Sequence, residues 1–156
     1  MVFVVVGAVL ALLWRRPWFL AVLVTADLAA DGLSLLLRQG LGRARPPSVY
    51  REPEPLVSVP HSGAFPSGHA STAFACATVI AWASRRLAVP AFALAAAIAW
   101  SRVYAGVHWP LDVLAGALLG VLMGRLVVFL ARRGRFDAGG DSACSTAPES
   151  SGPPTS

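Results

Sequence analysis

Apolar residues fall into five long runs along the chain, and most charged residues lie in the gaps between these runs. The runs cover residues 1–13, 18–37, about 67–83, about 87–101 and about 111–131. A helix that spans a membrane needs about 20 apolar residues, with about 17 as the lower limit. The second and fifth runs reach this length, the third is at the limit, and the fourth reaches it only if its helix continues toward Tyr104. The pattern therefore predicts an all-α integral membrane helix bundle with about five transmembrane segments.

The two ends of the chain depart from this pattern. The first run is too short to span a membrane, and it lacks the basic region and cleavage site of a signal peptide. We therefore expect that the chain begins inside a helix or that an upstream segment is missing. After Phe136 the sequence turns to Asp, Gly, Ser, Pro and Thr. Residues 1–135 are predicted to form one membrane domain, and residues 136–156 a disordered tail.

Composition supports the membrane assignment and excludes some functions. Hydrophobic residues make up 56% of the chain and charged residues 13%, whereas soluble domains carry about 25% charged residues. The net charge of +5 comes from arginine alone, because the sequence contains no lysine. The arginines form small groups at segment ends without a basic stripe, which argues against nucleic-acid binding. No disulfide is expected between Cys76 and Cys144, and no Cys/His spacing typical of a metal site is present.

The arginine groups also predict an orientation. If the spans alternate, three groups lie on one side, which the positive-inside rule makes cytoplasmic together with the C-terminal tail. These groups are Arg15–Arg16, Arg85–Arg86, and Arg132 with Arg133 and Arg135. The remaining loops then face the extracytoplasmic side of a multi-pass cell-membrane protein. Five further arginines lie at this side against the rule, which suggests an anionic ligand there: Arg38, Arg43, Arg45, Arg51 and Arg102.

Two short polar motifs stand at the starts of apolar runs on that side. His108 and Asp112 are four residues apart around Pro110, so they can share one face of a starting helix. The carboxylate can then accept a hydrogen bond from one imidazole nitrogen and leave the other free to attack an electrophile. The alternative is a histidine and an aspartate that merely cap a helix at the membrane interface.

The second motif is Pro66-Ser67-Gly68-His69. A helix start exposes backbone N–H groups and favours an anion, the Ser67 hydroxyl can donate a hydrogen bond, and Gly68 allows close approach. His69 can protonate a leaving alkoxide and later activate water. The alternative is an ordinary Ser-Gly helix cap.

Three arginines complete the candidate site. The planar forks of Arg38, Arg45 and Arg102 match the oxygens of a phosphate, although Arg38 and Arg45 could instead snorkel to the interface. Arg102 sits just inside the end of the fourth apolar segment if its helix continues toward Tyr104, and an unpaired charge is costly there. Asp31, two helical turns before Arg38, is either its partner or an interior polar contact between helices, and the role of Asp27 stays open.

In order and spacing, these residues resemble the three-part signature of the type 2 phosphatidic acid phosphatase family, which is shared with vanadium haloperoxidases. The family pattern is Lys, six residues, Arg-Pro; then Pro-Ser-Gly-His; then Ser-Arg, five residues, His, three residues, Asp. The chain matches every position except one, because Arg38 stands where the family has Lys. The motifs cover residues 38–112.

The resemblance implies a role for each matching residue. His108 would be the nucleophile that forms a phosphohistidine, Asp112 would orient it, and His69 would be the general acid. Phosphate would be bound by Arg38, Arg45, Ser67, Gly68 and Arg102. The implied activity is metal-independent and cofactor-free hydrolysis of a lipid phosphate or diphosphate, with the site on the extracytoplasmic face.

Several questions stay open from the sequence. The substrate could be phosphatidic acid, phosphatidylglycerol phosphate, a polyprenyl diphosphate or a polyprenyl phosphosugar, and the oligomeric state cannot be read. The alternatives are a catalytically silent or truncated membrane protein of the same family and, less favoured, a vanadate-dependent haloperoxidase.

Overall fold

The computed structural model describes residues 2–49, 56 and 63–140, with side chains up to residue 133. Within these ranges the chain is helical and contains no strand. The helices are α1 (Val2–Leu13), α2 (Pro17–Leu41), α3 (Pro46–Val49), α4 (Gly68–Ala83), α5 (Ala88–Tyr104) and α6 (Pro110–Gly140). A 3-10 turn at Arg85–Leu87 joins α4 to α5. Arg51 lies outside the described residues.

The bundle is built around α4, which packs against α2, α5 and α6. Its small side chains are buried on several sides, which is possible because alanine, serine and glycine let neighbouring backbones approach closely. On the facing side, α2 presents a stripe of buried apolar residues with helical spacing. These residues are Phe19, Leu23, Ala26 and Ala30. α4 is therefore the interior helix, and the candidate site is built at its N-terminal end.

Glycines on α6 bring this helix into backbone contact with α4. Gly116, Gly120 and Gly124 recur every four residues and therefore lie on one helix face. A methyl group on Gly116 would lie 2.5 Å from the carbonyl oxygen of Ser67, and one on Gly124 would lie 2.8 Å from that of Ala75. The stripe therefore fixes the start of α6 beside the start of α4. The two polar motifs of the sequence meet there.

The predicted fold class is confirmed, because the five long helices match the five apolar runs to within four residues, except that α6 continues nine residues past the end of the fifth run. Three segments are long and apolar enough to cross a membrane: Pro17–Val49, Arg85–Tyr104 and Pro110–Arg133. The fourth run does continue to Tyr104, as its spanning length required. α1 and α4, with 12 and 16 residues, are shorter than a typical span. α6 continues to Gly140, five residues past the predicted domain boundary, and residues 141–156 lie outside the described range.

Candidate active site

His108 is buried in the short connection between α5 and α6, and both of its ring nitrogens have protein neighbours. Nδ1 lies 2.9 Å from the carbonyl oxygen of Ala64. Because a carbonyl can only accept, Nδ1 carries the proton and donates it to Ala64. Nε2 then holds the lone pair and lies 3.3 Å from Nη1 of Arg45. The ring is therefore fixed in the tautomer that keeps Nε2 available as a nucleophile.

Asp112 does not accept the hydrogen bond expected from His108. Its Oδ2 is 3.8 Å from Nδ1, beyond hydrogen-bond distance. Oδ2 instead accepts from the backbone N–H of Trp109 at 2.9 Å. Asp112 stands at the third helical position of α6, where an acidic side chain reaches back to cap the first turn. The carboxylate is nonetheless close enough to stabilise positive charge on the imidazole.

Arg43 is the ionic partner of Asp112, which the sequence did not assign. Its Nη1 lies 2.9 Å from Oδ1 of Asp112. Asp112 is fully buried, whereas the Arg43 side chain is 40% exposed. A buried carboxylate requires such a partner. The only available signal was the presence of Arg43 among the arginines that break the positive-inside rule.

Arg45 is buried and held by backbone carbonyls on two sides. Nη1 donates to Val107 at 2.9 Å and Nη2 donates to Gly63 at 3.2 Å. The segments on either side of the site are also paired, because the backbone N–H of Ala64 donates to the carbonyl of Arg43 at 2.8 Å. These bonds hold the guanidinium beside Nε2 of His108 rather than at the membrane surface. The snorkelling alternative therefore does not apply to Arg45.

Ser67 and Gly68 form the N-terminus of α4 directly beside the α6 motif. The backbone N–H of Ser67 donates to the carbonyl of Asp112 at 2.9 Å. The Ser67 hydroxyl is fully buried and has no hydrogen-bond partner among the described residues. Buried hydroxyl groups in native proteins are nearly always hydrogen-bonded. An anion at this helix start would satisfy the hydroxyl and would also meet the positive end of the α4 dipole.

Arg38 lies against Gly68. A methyl group on Gly68 would be 2.9 Å from Nη2 of Arg38 and 3.2 Å from its Cζ. Nε of Arg38 donates to the carbonyl of Ser34 at 3.2 Å, and Nη2 lies 3.6 Å from Oδ1 of Asp31. The partner interpretation of Asp31 is therefore supported. The absence of a side chain at residue 68 gives the guanidinium room at the helix start.

His69 and Arg102 are not in direct contact with this cluster but line an adjoining cavity of about 210 Å³. Thr72 and Ile98 line the same cavity, as does Asp27, whose Oδ1 accepts a long 3.6 Å contact from Sγ of Cys76. His69 is exposed, and Nε of Arg102 lies 3.3 Å from Oγ of Ser101. The predicted site residues thus occupy one region, with His69 and Arg102 at the adjoining cavity.

The electrostatics of the site keep His108 neutral. Burial, which is the largest cause, and the positive charge of Arg45 beside Nε2 together lower the pKa of His108 to about 4. The hydrogen bond to Ala64 opposes this shift only in part. A neutral imidazole is the form that can attack an electrophile. In the described part of the chain, no group of three or more His, Cys, Asp or Glu side chains is arranged to hold a metal ion.

The described helices thus form an apolar bundle that carries two histidines and an arginine cluster at one end. Residues 17–135 match the family model of the PAP2 superfamily. This match covers most of the chain, so the chain belongs to the PAP2 superfamily.

Individual relatives agree with this assignment. The chain is 36% identical over 104 residues to the lipid A 1-phosphatase of Porphyromonas gingivalis, and the aligned region covers 64% of this chain and 22% of that protein. It is 31% identical over 129 residues to the decaprenylphosphoryl-5-phosphoribose phosphatase of Mycobacterium tuberculosis, which covers 81% of this chain and 68% of that protein. The chain thus spans less than a quarter of one curated relative and about two thirds of the other.

A solved structure shares the fold. It is that of a transmembrane PAP2-type phosphatidylglycerolphosphate phosphatase from Bacillus subtilis, with 28% identity and a TM-score of 0.66. The similarity covers 85% of this chain and 68% of that one. These three relatives are named as phosphatases, and the substrates in their names differ from one another.

Proposed function

We propose that this protein is a membrane lipid phosphatase that works through a phosphohistidine on His108. The observation that carries the proposal is the arrangement around this ring. Nδ1 donates to a backbone carbonyl, and Nε2 faces the fixed guanidinium of Arg45. A phosphoryl group that binds Arg45 would therefore sit within reach of the Nε2 lone pair.

The binding step uses the positive groups around Nε2. Arg45 would hold one phosphoryl oxygen, and Arg38, Arg102 and the start of α4 would hold the others. The buried Ser67 hydroxyl would donate to the anion and gain the partner that it lacks among the described residues. Preorganised donors of this kind stabilise the charge of the transition state without reorganisation during the reaction.

The two histidines supply the nucleophile and the proton transfers of both chemical steps. Nε2 of His108 forms a bond to phosphorus while the bond from phosphorus to the ester oxygen breaks, and His69 gives its proton to the leaving alkoxide. The phosphorylated imidazole is then positively charged, and Asp112 at 3.8 Å stabilises it. Water attacks the phosphorus in the second step, His69 takes its proton, and the bond from phosphorus to Nε2 breaks to release phosphate.

The surroundings of the site support a lipid as the substrate. The cavity that carries His69 and Arg102 is lined on its other sides by apolar residues of α1 and α5, such as Phe3 and Ile98. A lipid whose phosphate lies at the N-terminus of α4 can therefore keep its apolar part within the bundle. Phosphatidic acid, phosphatidylglycerol phosphate, polyprenyl diphosphates and polyprenyl phosphosugars all satisfy this requirement. By the arginine distribution, we place the site on the extracytoplasmic face and the tail in the cytoplasm.

The test is phosphate release by detergent-solubilised protein across that lipid panel, with EDTA present throughout. The wild type should release phosphate from at least one lipid, His108→Ala should release none, and His69→Ala should be strongly impaired. Circular dichroism and size-exclusion chromatography establish that each variant is folded. Absence of release from folded wild type would contradict the proposal and favour a catalytically silent member of the family.

A further inference from the structure

A second concave site lies at the opposite end of the bundle from the candidate active site. Its volume is about 430 Å³, and it lies between α4, α5 and α6. The lining combines two arginines with aromatic and apolar side chains, including Trp82, Phe92, Arg125, Phe129 and Arg132. Arg125 and Arg132 follow Pro110 by 15 and 22 residues, which corresponds to about 22 and 33 Å along α6. A molecule bound here is therefore remote from His108.

The two arginines of this cavity have no acidic partner among the described side chains. They are seven residues apart on α6, which is close to two turns, so both face the same side of the helix. Arg125 also lies inside the segment Pro110–Arg133, which is apolar enough to cross a membrane. A positive charge within such a segment is costly unless it meets an anion or reaches the interface.

The aromatic wall of the cavity is held in place by contacts within the protein. The Arg132 guanidinium carbon lies 5.6 Å from the centre of the Trp82 ring, in the range of a cation–π contact. Trp82 is in turn held edge-on by Trp18, with ring centres 5.5 Å apart. The Phe92 ring is tilted by 53° against the Phe74 ring, with ring centres 6.0 Å apart. A fixed aromatic wall lowers the entropy cost of ligand binding.

We propose that this cavity binds the phosphodiester headgroup of an anionic phospholipid in the leaflet opposite the active site. Arg125 and Arg132 bind the phosphate, and Phe92, Phe129 and Val121 contact the start of the acyl chains. Basic pockets between membrane helices favour anionic headgroups, and the volume lies within the range of small-molecule sites. Because the site is remote from His108, this lipid is a resident ligand that stabilises the bundle rather than a substrate.

The probe is phosphatidylglycerol, a phosphodiester, added to protein in phosphatidylcholine nanodiscs. The protein carries His108→Ala, so that turnover cannot consume any lipid. Lipid retention is measured by native mass spectrometry, and the unfolding temperature is followed as phosphatidylglycerol is added. The background protein should retain phosphatidylglycerol above its share in the nanodisc and should unfold at a higher temperature.

Variants at the two arginines test the site itself. Arg125→Gln and Arg132→Gln should each weaken phosphatidylglycerol binding about 5- to 10-fold. Arg86→Gln is the matched control, because it removes the same charge at the same end of the bundle but does not line the cavity. Arg125→Lys keeps the charge and should keep most of the binding, which preserves the test if Arg125→Gln does not fold.

Two results would overturn the proposal. Equal retention in Arg125→Gln, Arg132→Gln and Arg86→Gln would show that the arginines only extend to the interface. A change in oligomeric state without a change in lipid retention would show that the cavity belongs to an interface between two copies of the chain. Neither result depends on the activity at His108.

Discussion

Gly68→Ala offers a sharp separation between activity and stability. The new methyl group would lie 2.9 Å from Nη2 of Arg38, whereas ordinary contacts of such a carbon begin at 3.4 Å. The guanidinium must therefore move by about half an ångström or more. Misplacing a positioning group by about 1 Å can reduce activity about 100-fold. We therefore expect kcat/KM to fall about 10-fold or more.

The stability of Gly68→Ala should not fall together with its activity. The atoms that must move are the far end of a flexible side chain, and alanine is favoured over glycine within a helix by up to about 1 kcal/mol. The unfolding temperature of Gly68→Ala should therefore be unchanged or raised. Gly32→Ala is the matched control on α2, because no atom lies within 4 Å of its new methyl group. This control should keep wild-type kcat/KM.

The assay is phosphate release at several substrate concentrations, together with thermal unfolding in the same detergent. In the Arg38→Lys background the loss caused by Gly68→Ala should be smaller, because an ammonium group on a flexible stem can withdraw from the methyl group. Full kcat/KM in Gly68→Ala would refute the argument. A loss of activity that only parallels a loss of folded protein would refute it as well.

Three further predictions follow from individual contacts. Arg43→Ala should lower the free energy of unfolding by about 1.5 kcal/mol, which is at the low end for a hydrogen bond to a charged group because Arg43 is 40% exposed. In chemical denaturation, Arg43→Lys should keep part of this stability, and an unchanged midpoint in Arg43→Ala would contradict the pairing. Gly120→Ala should cost about 1–3 kcal/mol, because its methyl group would overlap the carbonyl oxygen of Ser71, and wild-type thermal stability would contradict this. The folded pKa of His108 is about 4, below its ordinary value, so the unfolded chain binds the proton more readily. Stability should therefore fall as the pH drops from about 6.5 toward 4. A folded His108→Gln variant should lose this part of the pH dependence of stability, and an unchanged pH dependence would contradict the assignment.

The helices were predictable because their apolar runs are interrupted by arginines and prolines at the ends. The runs 18–37 and 111–131 lie within α2 and α6, which continue four and nine residues past the ends of these runs. The motif residues were predictable as a group, because serine, glycine, histidine and arginine carry recognisable chemistry. α4 was predicted at the limit of spanning length, and its interior position explains how a short helix can serve in the bundle.

The hydrogen-bond partners within the site could not be predicted in the same way. The acceptor for Nδ1 of His108 is the backbone carbonyl of Ala64, and a backbone carbonyl has no side-chain signature. The spacing of His108 and Asp112 suggested a direct hydrogen bond, but the first turn of α6 directs the carboxylate to the N–H of Trp109 and to Arg43. Which of several arginines pairs with Asp112 depends on the turn after Gly42, a left-handed residue that ends α2.

The most direct test of the proposed mechanism is to identify the phosphorylated residue. The substrate in this experiment is an aryl phosphate, whose leaving group needs no general acid. His69→Ala should therefore still form the phosphoenzyme but should hydrolyse the phosphoenzyme slowly. Rapid quenching followed by peptide mass spectrometry at neutral to basic pH should find one phosphoryl group on His108, and none in His108→Ala. Phosphate release with no phosphoryl group on His108, or with one on another residue, would contradict the proposed mechanism.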